Sequence, residues 1–404
     1  MAEIKSWLSP GVPSVRIILG GRDINAIPNY LEKFSHEVLS DGSMGKTSIT
    51  LFDQEWDTLE NLIIPDDRAI QYEFGWANGR TSKLQEGVVL KYQPTFEHTG
   101  LRLHLELTGN LLRDSQQVYS RSWKSQKVSD IVADVFGTRN WNLDIEETSG
   151  RITIEQQNVT NAFFIENVLK PKAVSARTGQ SGYEFRCEGN TIIFRTPDYE
   201  QGIIRRYIYG RTENSEVLSF APQFNGYMML ASGGGDIRVE GYDVLSKQPI
   251  VQNINIDNSG PRIAQGDRTI QTEDQGGNTG RMYTLPYDDP KQVEAWANWK
   301  LAKARTLTWR ASMQILGDPT LVVGDLIEVM VQKTDGDIHY TSGVYRIYRV
   351  KHAITRGSYV TNLELGTDGS RHPDQGKNAG TKRQQKLIDR GENDRDEGAE
   401  ITSE

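Results

Sequence analysis

Apolar and polar residues alternate without a fault along Gly100-Leu-Arg-Leu-His-Leu-Glu-Leu107, the period-two pattern of a strand with one buried face. The first hundred residues repeat this pattern. Ser14 to Leu19, Ile70 to Trp76 and Gly87 to Gln93 read as strands, and Phe34 to Ser40 with Lys46 to Phe52 flank the turn Asp41-Gly-Ser-Met-Gly45 as a hairpin. Residues 1–109 are therefore expected to form a β-barrel or sandwich.

From Ser122 the period changes. Val128, Ile131, Val132 and Val135 fall on one helical face, with Ser125 as the expected cap and Gly137 as the stop. A second helix is expected over residues 161–169, where Ala162, Ile165, Val168 and Leu169 align before Pro171. Tyr183 to Cys187 and Thr191 to Thr196, joined by Glu188-Gly-Asn190, then read as a strand pair. Residues 110–201 thus read as a small α/β insert with its own core.

Strand text resumes at Ile203 to Tyr209, Glu216 to Ala221, Tyr227 to Ala231 and Ile237 to Leu245. Residues 252–285 are polar and read as a long loop. Asp289 as N-cap, Pro290 at the first helical position and Gln292 in a capping box then open a helix striped by Val293, Ala297, Leu301 and Ala304. Leu307 to Leu316, Leu321 to Gln332, Gly343 to His352 and Tyr359 to Leu365 follow as strands, with Asp335-Gly336 as a turn. From Gly366 onward there are nine acids, seven bases and five aliphatic residues, too little apolar surface to offset the entropy of ordering. A disordered tail is expected there.

Composition narrows the function classes. Among the 404 residues 36% are hydrophobic and 25% charged, which favours several small, surface-rich domains. The longest apolar run, Tyr227 to Ala231, is far below the ~20 residues of a membrane span, and the N-terminus lacks the order of a secretory signal. An integral membrane protein and an exported one are therefore not expected. A net charge of −8 disfavours tight nucleic-acid binding. With Cys187 as the single cysteine, one chain can form no internal disulfide and no multi-thiolate zinc site.

No motif carries catalysis. Ser40-Asp-Gly-Ser-Met-Gly-Lys46-Thr47 resembles the end of a phosphate loop, but Ser40 replaces its first glycine and a strand follows where a helix is required. Gly233-Gly-Gly235, with Arg238 at the third dinucleotide glycine position, reads as a turn. None of His36, His98, His104, His339, His352 and His372 forms a zinc-hydrolase pair. His98, His104 and Glu106 share a strand face, which reads as an exposed surface. Within a strand, doublets such as Asp66-Asp67, Glu146-Glu147 and Asp288-Asp289 would point to opposite faces rather than cooperate as glycosidase acids. No Gly-x-Ser-x-Gly elbow occurs. No catalytic, cofactor-binding or metal-ligating residue is assigned, no cofactor is expected, and the chain reads as a non-enzyme.

The order of elements resembles the central baseplate hub proteins of phage tails, the late control gene D group, which is related to the hub half of type VI secretion spikes. The features that carry it are the hairpin Phe34 to Phe52, the insert entered by Lys127-Val-Ser-Asp-Ile-Val-Ala-Asp134, and Gly317-Asp-Pro-Thr-Leu-Val-Val-Gly-Asp325 after the helix. The closing stretches Gly343 to His352 and Gly357 to Leu365 complete the pattern. The resemblance implies a mainly β chain with two tail-tube-like β-barrels. The first spans residues 1–109 and the second 202–250 with 306–367, with the α/β insert at 110–201, a polar loop and capped helix at 251–305 and a charged tail at 368–404. It implies a homotrimeric adaptor in the virion baseplate, assembled in the host cytoplasm. Its partners would be the tail tube protein, a central spike and other baseplate proteins, with DNA passing through its channel unbound. Lysozyme or peptidase domains of enzyme-bearing relatives are additional segments for which no room is expected after Leu365. Two other classes fit a β-rich chain: a glycan hydrolase whose acids meet from distant strands, and a trimeric host-binding adhesin.

Overall fold

The structure is a computed structural model. It describes residues 11–19, 22–23, 30–40, 45–54, 69–109, 111, 117–137, 141–188, 190–199, 201–210, 216–224, 236–243, 246–255, 263, 268–269, 282–284, 290–306, 309–333 and 338–370.

Seven strands build the first unit: β1 (Pro13–Leu19), β2 (Arg22–Asp23), β3 (Leu31–Leu39), β4 (Lys46–Asp53), β5 (Ala69–Trp76), β6 (Gln85–Glu97) and β7 (Gly100–Gly109). The expected alternation is realised. In β7 Leu101, Leu103, Leu105 and Leu107 are buried, and they meet Phe34, Ile49, Leu51, Ile70 and Phe74 in one core. Removing such side chains from water is worth about 1.5–3 kcal/mol each, so this face fixes the register of every strand that contributes to it.

The insert contains β8 (Val118–Gln126), the helix α1 (Val128–Phe136), β9 (Asn142–Ile145), β10 (Ile152–Thr160), the helix α2 (Asn161–Phe164), β11 (Glu184–Glu188) and β12 (Thr191–Arg195). Helix α2 continues as a π turn over Ile165–Leu169. The insert has its own core, in which Ile131, Val132, Phe164, Ile165, Phe185 and Phe194 are buried. Ser125 does not cap α1: the cap position is Lys127, without a side-chain bond, and Ser125 lies in β8 with φ of 51°. The Thr148 hydroxyl instead accepts the N–H of Ser129 at 2.9 Å, so a distant loop satisfies one of the helix's first amides.

The second unit uses β13 (Arg205–Tyr209) and β14 (Val217–Phe224). Between its halves lie β15 (Asp236–Asp243), β16 (Gln248–Asn255), β17 (Arg268–Thr269), β18 (Met282–Thr284) and the helix α3 (Pro290–Thr306). It resumes with β19 (Trp309–Leu316), β20 (Leu326–Val331), β21 (Gly343–Thr355) and β22 (Ser358–Thr367), and β23 (Gly369–Ser370) ends the described chain. Strands β15, β16 and β18 form a separate sheet against α3, with Val239, Ile250, Val293 and Ala297 buried. Strands β15 and β16, within the stretch 202–250 and just after it, pair with each other and β15 with β18, apart from the 13-stranded sheet. Residues 252–255, expected in a loop, continue β16. Leu321 and Val323, expected in a strand, sit in a turn whose side chains enter the second core. The ordered chain also reaches past Gly366: Asp368 is fully buried and accepts the Ile263 N–H at 3.1 Å, and β23 pairs with β17. Tyr227 to Ala231, Gly233 to Gly235, Asp289 and Asp335-Gly336 lie outside the described residues.

Both β units run through one 13-stranded sheet, because β3 pairs with β21. Each unit is rolled around its core, and among the described residues neither closes into a barrel. The two units have the same topology. The path β3-β4-β7-β6-β5-β1 in the first is matched by β14-β19-β22-β21-β20-β13 in the second, strand for strand in chain order. The registers match too. Lys91↔Glu106 and Glu97↔Gly100 in the first unit correspond to Arg349↔Glu364 and Thr355↔Ser358 in the second, and both ladders shift one residue earlier, at Leu90 and at Tyr348. The shift after Leu31 in β3 recurs after Val217 in β14. The pairing of the innermost strand differs: β1 meets β5 antiparallel, whereas β13 meets β20 parallel.

Candidate functional site at the junction of the units

The junction is a seven-pair antiparallel ladder from Arg349↔Leu39 to Thr355↔Lys33. At its centre His36 faces His352, both buried, with ring centroids 6.3 Å apart. The Nδ1 of His36 lies 2.8 Å from the Thr47 hydroxyl and 3.2 Å from that of Tyr72. The Nδ1 of His352 lies 3.2 Å from the Thr361 hydroxyl and 3.0 Å from that of Tyr359. Burial removes the water that would solvate a charged ring. It lowers His36 to about 4 and holds His352 well below its ordinary value, with the other histidine adding to the effect. Both rings are neutral at pH 7. Around them Arg349 pairs with Glu37 at 2.6 Å and with Glu364 at 2.5 Å, and the Trp76 indole donates to the Gly317 carbonyl at 2.8 Å.

A second buried cluster fastens the insert to the second unit. Glu184 on β11 receives both terminal nitrogens of Arg346 on β21, at 2.8 and 2.9 Å, and Arg186 at 2.8 Å. Arg186 also binds Glu188 at 2.8 Å and donates to the Val323 carbonyl at 3.2 Å. Burial opposes the Glu184 charge, but the two guanidiniums outweigh it and hold the carboxyl below its usual range. Buried charges of this kind persist only when paired and hydrogen-bonded.

Between the two clusters lies a cavity of about 590 Å3, lined by His36, Tyr72, Arg186, Glu188, Asp325 and His352 among others. Asp325 is raised by burial, the direction a general acid requires. However, it accepts the Val322 N–H at 3.0 Å, closing the turn that shapes this wall, and the neighbouring Glu188 is committed to Arg186. The residues weighed in the sequence do not converge here. Glu146 is held by Ser175 and Thr196 at 2.6 to 2.8 Å, and Glu147 pairs with Lys127. His104 lies beside Thr50 and Glu106, and among the described residues no group of three metal-binding side chains occurs. Lys46 begins strand β4 opposite Glu37, so no helix follows it as a phosphate loop would need. Asp66-Asp67, Asp288-Asp289 and His372 lie outside the described residues. Cys187 is half-buried against the insert core. The junction was not legible as a site, since His36 and His352 are 316 positions apart in the chain and belong to no motif.

No family model matches the chain, and no curated protein matches it. Solved structures do. A tail protein from Neisseria meningitidis MC58 superposes with a TM-score of 0.63 at 12% identity, over 90% of this chain and 99% of its own. The 43 kDa tail protein of prophage MuSo2 from Shewanella oneidensis gives 0.57 at 10% identity, over 87% and 97%. Nearly the whole of each chain is aligned, so the likeness includes both β units and the insert. The resemblance read from the order of elements holds at the level of architecture: this chain has the fold of phage tail proteins.

Proposed function

We propose that the chain is a structural hub of a phage tail baseplate, a homotrimer that joins the six-fold tail tube to the three-fold central spike and lines the channel through which DNA leaves. The observation that carries this reading is the ladder-for-ladder duplication. A chain with two equivalent β units offers six equivalent positions in a trimer at one end, while the insert and the sheet around α3, present once per chain, offer three. Symmetry mismatch is thus resolved within one sequence. The fold shared with tail proteins supports a place in the tail, and the paired carboxylates of the junction fit a scaffold better than a hydrolytic centre. The tube protein, spike and other baseplate proteins are the partners on this reading. Imaging of purified particles bearing a labelled chain tests it. Three copies around the tail axis at the tube–spike boundary are expected, and label along peripheral fibres would favour the adhesin instead.

A further inference from the structure

The insert, α3 and the second unit meet around a second cavity, of about 610 Å3, within the size range of small-molecule sites. Its lining is cationic. Lys170 follows the π turn of the insert, Lys303 comes from α3, Arg310 from β19, and Arg346 and Arg349 from β21. Against these five, the described lining residues include three carboxylates, Glu166, Glu184 and Glu364. Each is engaged: Glu166 with Lys170, Glu184 with Arg346 and Arg186, Glu364 with Arg349. The wall formed by these residues thus carries two more positive charges than negative ones. We propose that the cavity is a binding site for a phosphate group, carried by a small anion held between the three parts of the chain. Such a site does not depend on where the chain sits in a tail.

A tetrahedral oxyanion suits this lining best. Its oxygens accept from several directions at once, as cations arriving from separate elements require, whereas a lone carboxylate presents its acceptors in one plane. The Arg346 side chain is 3% exposed, and its guanidinium lies 5.7 and 5.3 Å from the ring centroids of Tyr199 and Tyr348. Its Nε and that of Arg349 are buried, and among the described residues neither meets an acceptor. Buried donors left unpaired are costly, so the wall holds hydrogen-bonding capacity that the described chain does not use. Oε2 of Glu166 is also unpartnered, but the charge of that carboxylate is balanced by Lys170. Lys303, 5.2 Å from the Trp299 ring, is held below its usual range first by desolvation and then by Lys170 and Lys300, against Glu166 and Glu184. A bound anion relieves both effects. Ser312 and Gln223 add neutral donors to the lining, and the rings of Tyr199, Tyr348 and Trp299 offer an apolar side to any organic group attached to the phosphate. Phosphate is the chemistry shared by the two sources, a free ion and a nucleotide.

Calorimetric titration of the full chain tests the site, with orthophosphate and adenosine 5′-monophosphate as separate ligands at fixed ionic strength. Saturable binding of orthophosphate is expected, weakened about tenfold by Lys303→Gln and by Arg310→Gln, since each removes a charge-assisted hydrogen bond. Lys83→Gln, on the lining of the other cavity, should leave the affinity unchanged. Arg346 stays in place, because its loss would strand the Glu184 carboxylate. Melting by circular dichroism verifies the fold of each variant. Lysine acetylation of the unsubstituted chain, read by mass spectrometry, gives a second measure: phosphate should slow labelling at Lys303 and not at Lys83. Tighter binding of the nucleotide than of orthophosphate assigns an organic phosphate, and equal or weaker binding assigns the free ion. No saturable binding of either ligand, or affinity that Lys303→Gln and Arg310→Gln leave unchanged, would overturn the proposal. Equal weakening by Lys83→Gln, or labelling of Lys303 indifferent to phosphate, would overturn it as well. None of these results bears on whether the chain lies on the tail axis, which particle imaging decides separately.

Discussion

His36 and His352 occupy the same rung of the β3–β21 ladder, with their rings 12° from parallel, and each Nδ1 has a threonine and a tyrosine hydroxyl beside it. The seam between the two units is thus built around two imidazoles that fold in their neutral form. Phe74 packs against both rings, Tyr72 and Tyr359 stay protonated because burial raises them, and the nearest charged pairs on the seam, Arg349–Glu37 and Lys351–Glu37, lie toward solvent.

Acid should therefore loosen the seam. A histidine that ionises near 6.5 in the unfolded chain but near 4 when folded lets the unfolded state bind the extra proton. Its contribution is complete above pH 6.5 and is lost as pH falls toward 4. For His36 the loss amounts to about 3 kcal/mol. Denaturant midpoints measured from pH 7 to pH 4.5 should fall, and His36→Gln should flatten the slope by nearly one proton. An unchanged slope in that variant would show that the seam does not set the acid sensitivity.

Glu184 neutralises two guanidiniums that are both 3% exposed. Glu184→Gln keeps the shape and removes the charge, leaving Arg346 and Arg186 mutually repelling, with Glu188 bound to Arg186 and the Asp325 carboxyl near both as the remaining acids. A destabilisation of about 3–5 kcal/mol is expected, read as an early melting transition. A change below about 0.5 kcal/mol, the usual range of a surface substitution, would mean that solvent reaches the cluster.

Gly182 has φ of +93°, and the Trp299 indole of α3 fills the space where its Cβ would lie. Gly182→Ala should cost about 1–3 kcal/mol in backbone strain alone and displace α3 from the insert. Trp299→Ala in the same chain should recover part of the loss, and a double-mutant cycle measures the coupling. Additive effects would separate the two residues.

Asp368 is fully buried and receives the Ile263 amide. Asp368→Ala should destabilise the chain by about 1–3 kcal/mol, the cost of leaving a buried donor unpaired. A chain ending after Ser370 should melt like the full chain, and one ending after Thr367 should melt earlier.

The strands that alternate cleanly were readable, because a half-buried ladder demands alternation: β4 and β7 match the expected elements within two residues. The insert was only half readable. β8 and β10 carry three apolar or aromatic residues in nine each, Val118-Tyr-Ser-Arg-Ser-Trp-Lys-Ser-Gln126 and Ile152-Thr-Ile-Glu-Gln-Gln-Asn-Val-Thr160, without a sustained alternation, and pair with each other. Trp123, Ile152, Ile154 and Val159 reach the insert core, but register shifts in the ladder break the alternation that would report them. The duplication was expected through the family resemblance, and residue identity does not reveal it. Its equivalent positions share hydrogen-bond register, not identity: Lys91 and Arg349, Tyr92 and Val350, Pro94 and His352. Leu321-Val-Val323 misled because apolar side chains buried from a turn look like the start of a strand.

Pro94 and Pro222 lie at equivalent positions of the ladder, on β6 beyond its pairing with β5 and on β14, whose outer edges are open among the described residues. The β6–β7 hairpin closes with the pair Glu97↔Gly100 around a two-residue loop, so hydrogen bonds to β7 fall at Glu97, Thr95 and Gln93 and the Pro94 nitrogen faces outward. The same parity places the Pro222 nitrogen on the outer side of β14. Each edge therefore lacks a donor at its midpoint, which makes it a poor template for strands of arbitrary sequence. The two prolines thus guard the exposed edges against uncontrolled strand addition although Tyr92, Phe96 and Phe224 stand open beside them.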